Sequence, residues 1–376
     1  MRFVCVACNR TFSGRTLPYR CSCGGPLDCE NTVKQVRLSG AFRHARYMPL
    51  LPVRKLVTLG EGGTPLLRLE RLEKAFQLPF KLYAKNEAVN PTGSFKDRGS
   101  SVEVAAAVTH HAKRAAVAST GNMGASLAAY SGKAGIPLTV YTPKDAAPTK
   151  LEQILAYGAH VVRVRQVYSE VIAGVEALCK EKKVYLLGDY VFRREGTKTV
   201  GCEIAEQLGR APDTVVVPIG NGLLFSGVWK AFTEFKKLKW IRNLPRMVGV
   251  QATGCKPVVN ALRSGRWNRV ERPKTVAMAI ECDLPMDGLL VLQAIRASRG
   301  TALSVGDREI LRAVDLLAQH EGLFAEPAGA AALAGILKDP SQYRRGSTVV
   351  CVVSGHGLKA PHHDPHHRMT ERATVL

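Results

Sequence analysis

The sequence lacks any long apolar segment. Nowhere in its 376 residues do about eighteen apolar residues follow one another, so it offers no candidate for a membrane-spanning helix. The first residues, Met1 to Cys5, contain no apolar region of the kind found in secretory signal peptides. We therefore expect a cytoplasmic protein that does not bind a membrane.

Acidic residues are scarce relative to basic ones. The chain has 31 Asp and Glu against 53 Lys and Arg, a formal net charge of +22. The basic residues are spread along the chain instead of forming one block, so we do not expect specific nucleic-acid binding. A preference for anionic small molecules is a second explanation for the charge, and a compositional habit of the source organism is a third.

The remaining composition is that of a globular protein. Hydrophobic residues make up 46% and charged residues 22% of the chain, whose length suits two or three domains. Predicted strands alternate with predicted helices from Leu82 onward, which indicates a parallel sheet covered on both faces. The interval from Ala252 to Ser304 shows no clear pattern, and there we expect substrate-specific insertions.

One lysine lies where a reactive amine is expected. Lys96 follows a turn signal in the stretch Asn90 to Gly99 (Asn-Pro-Thr-Gly-Ser-Phe-Lys-Asp-Arg-Gly) and precedes a predicted helix. The partial positive charge of a helix amino terminus disfavours a second positive charge, so this lysine is a candidate for a lowered pKa. Such an amine forms a Schiff base with an aldehyde cofactor. The alternative is a solvated lysine in a turn.

Three further loops follow predicted strands. They are Ser119-Thr120-Gly121-Asn122, the glycine loop that begins Gly220-Asn221-Gly222-Leu223-Leu224, and Ser354-Gly355-His356-Gly357. Ligands of open α/β sheets bind at the carboxyl ends of strands. The glycine loop has the composition of a phosphate cradle, in which consecutive amides approach an oxyanion.

Four of the ten cysteines cluster near the amino terminus. Cys5 and Cys8 are followed, after twelve residues, by Cys21 and Cys23, a spacing that suits a tetrahedral thiolate site for structural zinc. Metal-free thiols or a disulfide pair remain the alternative. We expect the other six to be buried bystanders: Cys29, Cys179, Cys202, Cys255, Cys282 and Cys351.

Five motifs in one order resemble those of threonine synthase. Besides the Lys96 stretch and Ser-Thr-Gly-Asn, they are Leu59 to Leu66 (Leu-Gly-Glu-Gly-Gly-Thr-Pro-Leu), Glu326-Pro327-Ala328 and Ser354 to Lys359 (Ser-Gly-His-Gly-Leu-Lys). The resemblance covers nearly the whole chain and implies a fold type II pyridoxal-phosphate enzyme, of the tryptophan synthase beta superfamily. The implied α/β architecture has two three-layer α/β/α domains with mostly parallel sheets and an amino-terminal zinc ribbon.

The resemblance also implies domain boundaries. We expect a zinc ribbon at 1–30, a linker arm at 31–58, a large cofactor-binding domain at 59–96 and 200–360, and a small substrate-side domain at 97–199. Residues 361–376 form a polar tail, whose four histidines are more simply explained by a mobile terminus than by a metal site. A homodimer is expected.

Residue roles follow from the same resemblance. Lys96 holds pyridoxal 5'-phosphate and later moves protons, and Asn122 donates to the ring hydroxyl. Ser354 faces the pyridine nitrogen, where a hydroxyl in place of an aspartate suits elimination and replacement. Amides of the glycine loop cradle the cofactor phosphate, and the residues concerned are Gly220, Asn221, Gly222, Leu223 and Leu224.

The implied reaction is that of a lyase in threonine biosynthesis. O-phosphohomoserine loses its α-proton, then a β-proton and phosphate, and water adds at the β-carbon to give threonine. Ser119 and Thr120 receive the substrate carboxylate, and Ser94, Arg193 and Lys198 are candidates for contact with its phosphate. Arg193 and Lys198 belong to an Arg-x-Glu-Gly-x-Lys-Thr pattern before the helix predicted at Val200 to Leu208; a purely structural role for that segment is the alternative.

Two departures from the family pattern weaken the choice of substrate. Met123 and Gly124 replace a Thr-Ser pair after Ser-Thr-Gly-Asn, and the glycine loop differs from the usual Gly-Asn-Ala-Gly-Asn. The alternatives are a cysteate-synthase-like replacement of phosphate in O-phosphoserine by sulfite, and a threonine or serine ammonia-lyase. A catalytically inactive, zinc-ribbon-bearing nucleic-acid-binding protein is the alternative from another class.

Overall fold

The structure is a computed structural model that describes residues 2–13, 19–30, 57–119, 121–144, 148–165 and 168–360. The predicted polar tail, Thr120 and all of the predicted arm before Val57 lie outside these ranges. Within them, no helix combines the length and the apolar character needed to cross a membrane.

The amino-terminal residues form a small antiparallel sheet. Its strands are β1 (Arg2–Cys5), β2 (Thr11–Ser13) and β3 (Leu27–Glu30), in the order β2-β1-β3. The alternation typical of strands gives this sheet one buried face, which packs against two helices of the body described below. The buried residues on that face are Phe3, Cys5, Leu27 and Cys29.

A six-stranded sheet forms the centre of the body. Its order is β12-β11-β10-β13-β5-β4, and all neighbours are parallel except the edge strand β4, which is antiparallel to β5. The strands are β4 (Leu66–Arg68), β5 (Lys81–Asn86), β10 (Thr214–Pro218), β11 (Arg246–Ala252), β12 (Thr301–Val305) and β13 (Thr348–Val353). β10 and β13 are buried along their whole length, as expected for strands covered on both faces.

A four-stranded parallel sheet with the order β8-β7-β6-β9 accompanies it. Its strands are β6 (Ala115–Ala118), β7 (Leu138–Pro143), β8 (His160–Val164) and β9 (Tyr185–Leu186). All four fall within 97–199, and every strand of the six-stranded sheet falls within 59–96 or 200–360. The boundaries and the roles that the sequence assigns to the two domains remain predictions.

The helices connect successive strands. They are α1 (Glu70–Ala75), α2 (Lys96–Thr109), α3 (Asn122–Lys133), α4 (Pro148–Ala156), α5 (Tyr168–Lys182), α6 (Val191–Thr197), α7 (Thr199–Leu208), α8 (Leu223–Lys237), α9 (Pro257–Ser264), α10 (Gly288–Ala297), α11 (Asp307–Glu321) and α12 (Pro327–Lys338). α2 and α6 are the two helices that receive the amino-terminal sheet, where the rings of Phe3 and Phe192 meet edge to face at 5.7 Å between centroids.

Two sequence interpretations need correction. The pattern from Arg193 to Thr199 predicts only a segment that leads into a helix, but Val191–Thr197 is itself a helix, α6. The interval from Ala252 to Ser304 is predicted to hold insertions, yet it supplies α9, α10 and β12, an edge strand of the central sheet. The buried apolar residues of α10, among them Val291 and Ile295, make it part of the core.

A buried network of four charges joins the Lys96 segment to the rest of the body. Arg98, on the first turn of α2, donates to both oxygens of Glu87 at 2.6 and 2.8 Å and to both oxygens of Glu203 at 2.8 and 2.7 Å. Lys85 donates to Glu203 at 2.6 Å. Burial acts to raise the pKa of each carboxyl, but the neighbouring cations outweigh it and hold the pKa of Glu87 and Glu203 below the usual value. The two carboxylates are therefore ionised beside Arg98 and Lys85.

We predict that Arg98→Met lowers the free energy of unfolding by about 3–5 kcal/mol, because it leaves two carboxylates buried without their shared partner. Arg68→Met is the matched control: Arg68 also contacts two carboxylates, those of Glu70 and Glu73, but is 40% exposed, so its loss should have a much smaller effect on stability. Urea denaturation of the two variants measures the difference. Equal losses would contradict a special role for the buried network.

Candidate active site

A cavity lies where the carboxyl ends of β10 and β13 face the loops that follow β6 and β9. Its inner part contains about 440 Å³ of empty space, part of which is open to solvent. Eight residues that the sequence assigns to a cofactor line this inner part together: Lys96, Asn122, Gly220, Asn221, Gly222, Leu223, Leu224 and Ser354. The inner part and the adjoining outer part, which share Lys96, Asn122 and Asp189, are called the site cavity below.

Lys96 is the first residue of α2, as its place after a turn predicts. Its Nζ lies 3.4 Å from Oδ1 of Asp189 and 5.0 Å from the centre of the Phe95 ring. Burial lowers the pKa of Lys96 below its usual value, and the Asp189 carboxylate opposes that shift. The lowered pKa agrees with the sequence argument, but its main cause is burial and not the helix terminus.

Asp189 is a buried carboxylate between several polar groups. Its Oδ2 accepts a hydrogen bond of 2.9 Å from Nδ2 of Asn221, and its Oδ1 lies 3.8 Å from Nε of Arg193. Burial acts to raise the pKa of Asp189, but Lys96 and Arg193 together hold it below the usual value. Asp189 is therefore ionised in the folded protein.

The glycine loop leads directly into α8. Gly222 precedes the helix with φ of 89°, a left-handed conformation that favours glycine, and a Cβ there would lie 2.7 Å from Cγ2 of Val291. The amides of Leu223 and Leu224 stand in the first turn of α8, where no intrahelical acceptor exists for them. This geometry suits an anion at the helix amino terminus.

Asn122 and Ser354 lie on other walls of the inner cavity. Nδ2 of Asn122 donates to Oε1 of Glu326 at 2.8 Å, while its Oδ1 is buried with no hydrogen-bond partner among the described residues. An amide with one unsatisfied buried atom fits a polar ligand in the cavity. The carbonyl of Ser354 accepts from the amide of Phe95 at 3.0 Å, which ties this loop to the residue before Lys96.

The predicted substrate residues are not all brought together. Ser119 lines the outer cavity, and its Oγ accepts from the amides of Gly121 at 3.3 Å and Gly124 at 2.8 Å. Thr120 lies outside the described residues. Ser94 is buried, and its hydroxyl is not among the groups that line the site cavity.

Arg193 and Lys198 occupy positions that do not fit direct contact with a substrate. Arg193 is fully buried and donates to Glu103 at 2.9 Å, to Ser100 at 3.1 Å and to the carbonyl of Lys96 at 3.2 Å. Lys198 is fully buried and lies 2.7 Å from Glu195. Neither lines the site cavity. We interpret Arg193 as a residue that holds the structure around Lys96, whereas Lys198 pairs with Glu195 and Glu234.

The sequence reasoning missed several residues of the cavity. Asp189 follows a strand, so the rule that ligands bind at strand ends was a usable signal for it. Cys282 is predicted to be a bystander, but it lines the outer cavity and its thiol donates to Oδ1 of Asn221 at 2.9 Å. Tyr168, Met278, Ala279 and Glu281 complete the missed residues of this outer part.

The amino-terminal cysteines form a separate cluster. The sulfur atoms of Cys5, Cys8, Cys21 and Cys23 all lie within 4.8 Å of one another, and three of their separations are 3.5–3.6 Å. Bonds of about 2.3 Å to a central zinc place tetrahedral sulfurs about 3.8 Å apart. All ten cysteines are free thiols, so the disulfide alternative is not realised. The donor set and its spacing fit one metal ion.

Comparisons with known proteins identify the family of this chain. A sequence model of the family described as pyridoxal-phosphate dependent enzyme matches residues 57–355. The threonine synthase of Methanocaldococcus jannaschii is 41% identical to this chain over 375 residues, 95% of this chain and 92% of its own length. The threonine synthase of Methanosarcina acetivorans is 42% identical over 372 residues, with the same coverage.

Solved structures show the same fold. A threonine deaminase from T.th. superposes with a TM-score of 0.69 at 26% identity, covering 84% of this chain and 96% of its own. Maize serine racemase has a TM-score of 0.69 at 24% identity, covering 78% of this chain and 89% of its own. The two share an overall fold with this chain although their named activities differ.

Proposed function

This chain belongs to the family of pyridoxal-phosphate-dependent enzymes, and from that membership we propose that it is a threonine synthase, which converts O-phospho-L-homoserine and water to L-threonine and phosphate. The observation that carries the proposal is the convergence of the predicted cofactor residues on one cavity around Lys96. Identity of about 40% to threonine synthases over most of the chain supports the same reaction.

The residues present fit pyridoxal phosphate. The amine of Lys96 reaches the cavity, the glycine loop and the first turn of α8 offer amides to a phosphate, and Asn122 holds an unsatisfied oxygen there. Ser354 supplies a hydroxyl-bearing residue on the same inner wall. When bound, the cofactor supplies an electron sink for proton removal from carbon next to the amino group.

Lys96 is the residue that we assign to proton transfer. Burial lowers its pKa, so a larger fraction of the amine is free of its proton near neutral pH than for an exposed lysine. An amine in that state can take a proton from a substrate carbon and return it later. The surrounding helices keep most water from the amine, since the Lys96 side chain is only 16% exposed.

Recognition of the substrate depends on amides and hydroxyls. Lys96 is the one cationic side chain among the described residues that line the site cavity. The loop from Ser119, which leads into α3, therefore remains our candidate for the substrate carboxylate, now through amides near the helix amino terminus. We also retain as proposals a homodimer, a cytoplasmic location and an anionic phospho-amino-acid substrate.

We predict that the purified protein is yellow and releases phosphate and threonine in equal amounts from O-phosphohomoserine alone. Lys96→Ala should abolish the colour, the activity and the borohydride fixation of cofactor, because no other lysine of the described residues lines the cavity. Lys133→Ala, an exposed lysine at the end of α3, is the control and should retain all three. Phosphate release only from O-phosphoserine with sulfite would favour the cysteate-synthase-like alternative, and ammonia release from threonine or serine the lyase alternative.

We predict that Gly222→Ala weakens binding of pyridoxal phosphate at least about tenfold, because strain of about 1–3 kcal/mol and contact with Val291 displace the loop amides. Gly209→Ala is the matched control: Gly209 also has a positive φ, of 67°, but a Cβ there meets nothing within 4 Å and the residue ends α7. Absorbance titration measures the affinities. A loss of the same size in both variants would show that strain alone, and not the loop, is responsible.

We propose further that the four-cysteine cluster holds one structural zinc ion. Cys8→Ser should remove the bound metal, because a tetrahedral structural site needs all four thiolates. Cys29→Ala should leave the metal content unchanged: this thiol lies on the buried face of β3, and burial raises its pKa to about 12, which disfavours a thiolate. Metal analysis of the purified variants checks the prediction, and retained zinc in Cys8→Ser would refute the assignment.

A further inference from the structure

We propose that Asp189 is a positioning residue that holds the free amine of Lys96 beside the glycine loop through an ion pair. The proposal deepens the proposed function, since it concerns the amine that carries out the chemistry. Asp189 belongs to none of the motifs through which the sequence resembles threonine synthase, and it is fixed here by its contacts alone.

Asp189 connects three separate segments of the chain. It lies in the loop between β9 and α6, its Oδ1 is 3.4 Å from Lys96 at the start of α2, and its Oδ2 accepts from Asn221 in the glycine loop after β10 at 2.9 Å. The carboxylate therefore fixes the distance between the amine and the loop that we assign to the cofactor phosphate. Because each carboxylate oxygen contacts a different partner, Asp189 orients Lys96 and Asn221 as well as neutralising charge.

The loop that carries Asp189 is itself held in place. The amide of Gly188 donates to Oε1 of Glu103, and Nε of Arg193 donates to the carbonyl of Gly188 at 3.2 Å. The Asp189 side chain is only 2% exposed. Its position is thus determined by neighbours on α2 and α6, and a change in its charge need not move the backbone.

The charges around Lys96 determine whether its pKa is raised or lowered. The groups that face the amine or the adjoining cavity are Asp189, Arg193 on α6, Glu103 on α2, Tyr168 on α5, Glu281 and Cys282 beyond β11, and Glu326 before α12. Of these, Asp189 is the carboxylate within ion-pair distance of Nζ. Burial lowers the pKa of Lys96 and Arg193 lowers it further, whereas Asp189 raises it.

Asp189 acts as a fixed charge and not as a proton carrier. The pKa of Asp189 lies below its usual value because Lys96 and Arg193 outweigh the effect of burial. It therefore stays ionised through the neutral range, where Glu103, whose pKa burial raises to about 7, changes its charge. The carboxylate that stays charged is the one that contacts the amine, so it can hold a protonated Lys96 whenever that amine is not bonded to cofactor.

The test uses Asp189→Asn, which keeps the shape of the side chain and an acceptor for Asn221 but removes the charge. In the full-length, cofactor-free protein, acetic anhydride is applied across a range of pH, and acetylation of Lys96 is measured by peptide mass spectrometry. Only the deprotonated amine reacts, and loss of the nearby anion destabilises the protonated amine. The midpoint of the reaction should shift to lower pH by about one to three units. An unchanged midpoint would overturn the proposal.

Two further variants show whether the shift in the acetylation midpoint depends on the contact between Asp189 and Lys96. Glu281→Gln removes a carboxylate from the same cavity that accepts from the amide of Thr275, and it should shift the midpoint less. An equal shift would mean that the whole field of the cavity acts, and the specific role of Asp189 would be lost. Asp189→Glu restores the charge and should return the midpoint toward that of the unaltered protein, whereas a variant that merely distorts the site would not.

The measurement is independent of the proposed activity because it needs neither cofactor nor substrate. If the protein fails to make threonine while the acetylation midpoint shifts as expected, the proposed reaction is wrong and the role of Asp189 stands. If threonine is made but the acetylation midpoint does not move, the proposed reaction stands and the role of Asp189 is wrong.

Discussion

The ion pairs between Arg98 and the carboxylates Glu87 and Glu203 are the constraint on which the rest of the body depends. Arg98 lies two residues after Lys96, and its ion pairs tie the start of α2 to the turn directly after β5 and to α7. Two cations and two anions out of contact with water form a stable set only when all are present, because each one alone would bear a large desolvation penalty. The position of Lys96 at the start of α2 is therefore fixed by this network of ion pairs.

The same network explains why motifs far apart in the sequence occur together. Thr64 of the Leu59 to Leu66 motif donates to Glu87 at 2.6 Å, and the amide of Gly63 donates to Glu203 at 2.8 Å. Asn90, from the Lys96 motif, accepts from Gly62 at 3.0 Å. These two motifs therefore meet around Arg98 in the folded protein, although they are separate in the sequence.

Sequence reasoning succeeded for apolar strands and the loops after them, and it failed where charge is buried. The strands at Val215 and Val349 are apolar runs followed by glycine loops, patterns that hydropathy and turn chemistry reveal. α6 was not predicted because Arg193, Arg194 and Glu195 are charged, and apolar periodicity gives no sign of a buried helix there, yet all three are buried. Their partners are distant in sequence: Arg194 pairs with Asp287 and donates to the carbonyl of Leu27 in the amino-terminal sheet. No local pattern reports a partner 93 or 167 residues away.

The positive potential in the cavity comes mainly from helix amino termini and little from cationic side chains. α2, α3 and α8 begin at Lys96, Asn122 and Leu223, three residues that line its inner part, so three helix amino termini lie beside one volume. Fixed amides bring positive potential without the conformational freedom of lysine or arginine chains, and they cannot be titrated. Among the described residues, Lys96 is then the titratable cation that lines the cavity, and Asp189 lies beside it. Under the proposed function, the net charge of +22 is therefore not required to explain the binding of a phosphorylated ligand.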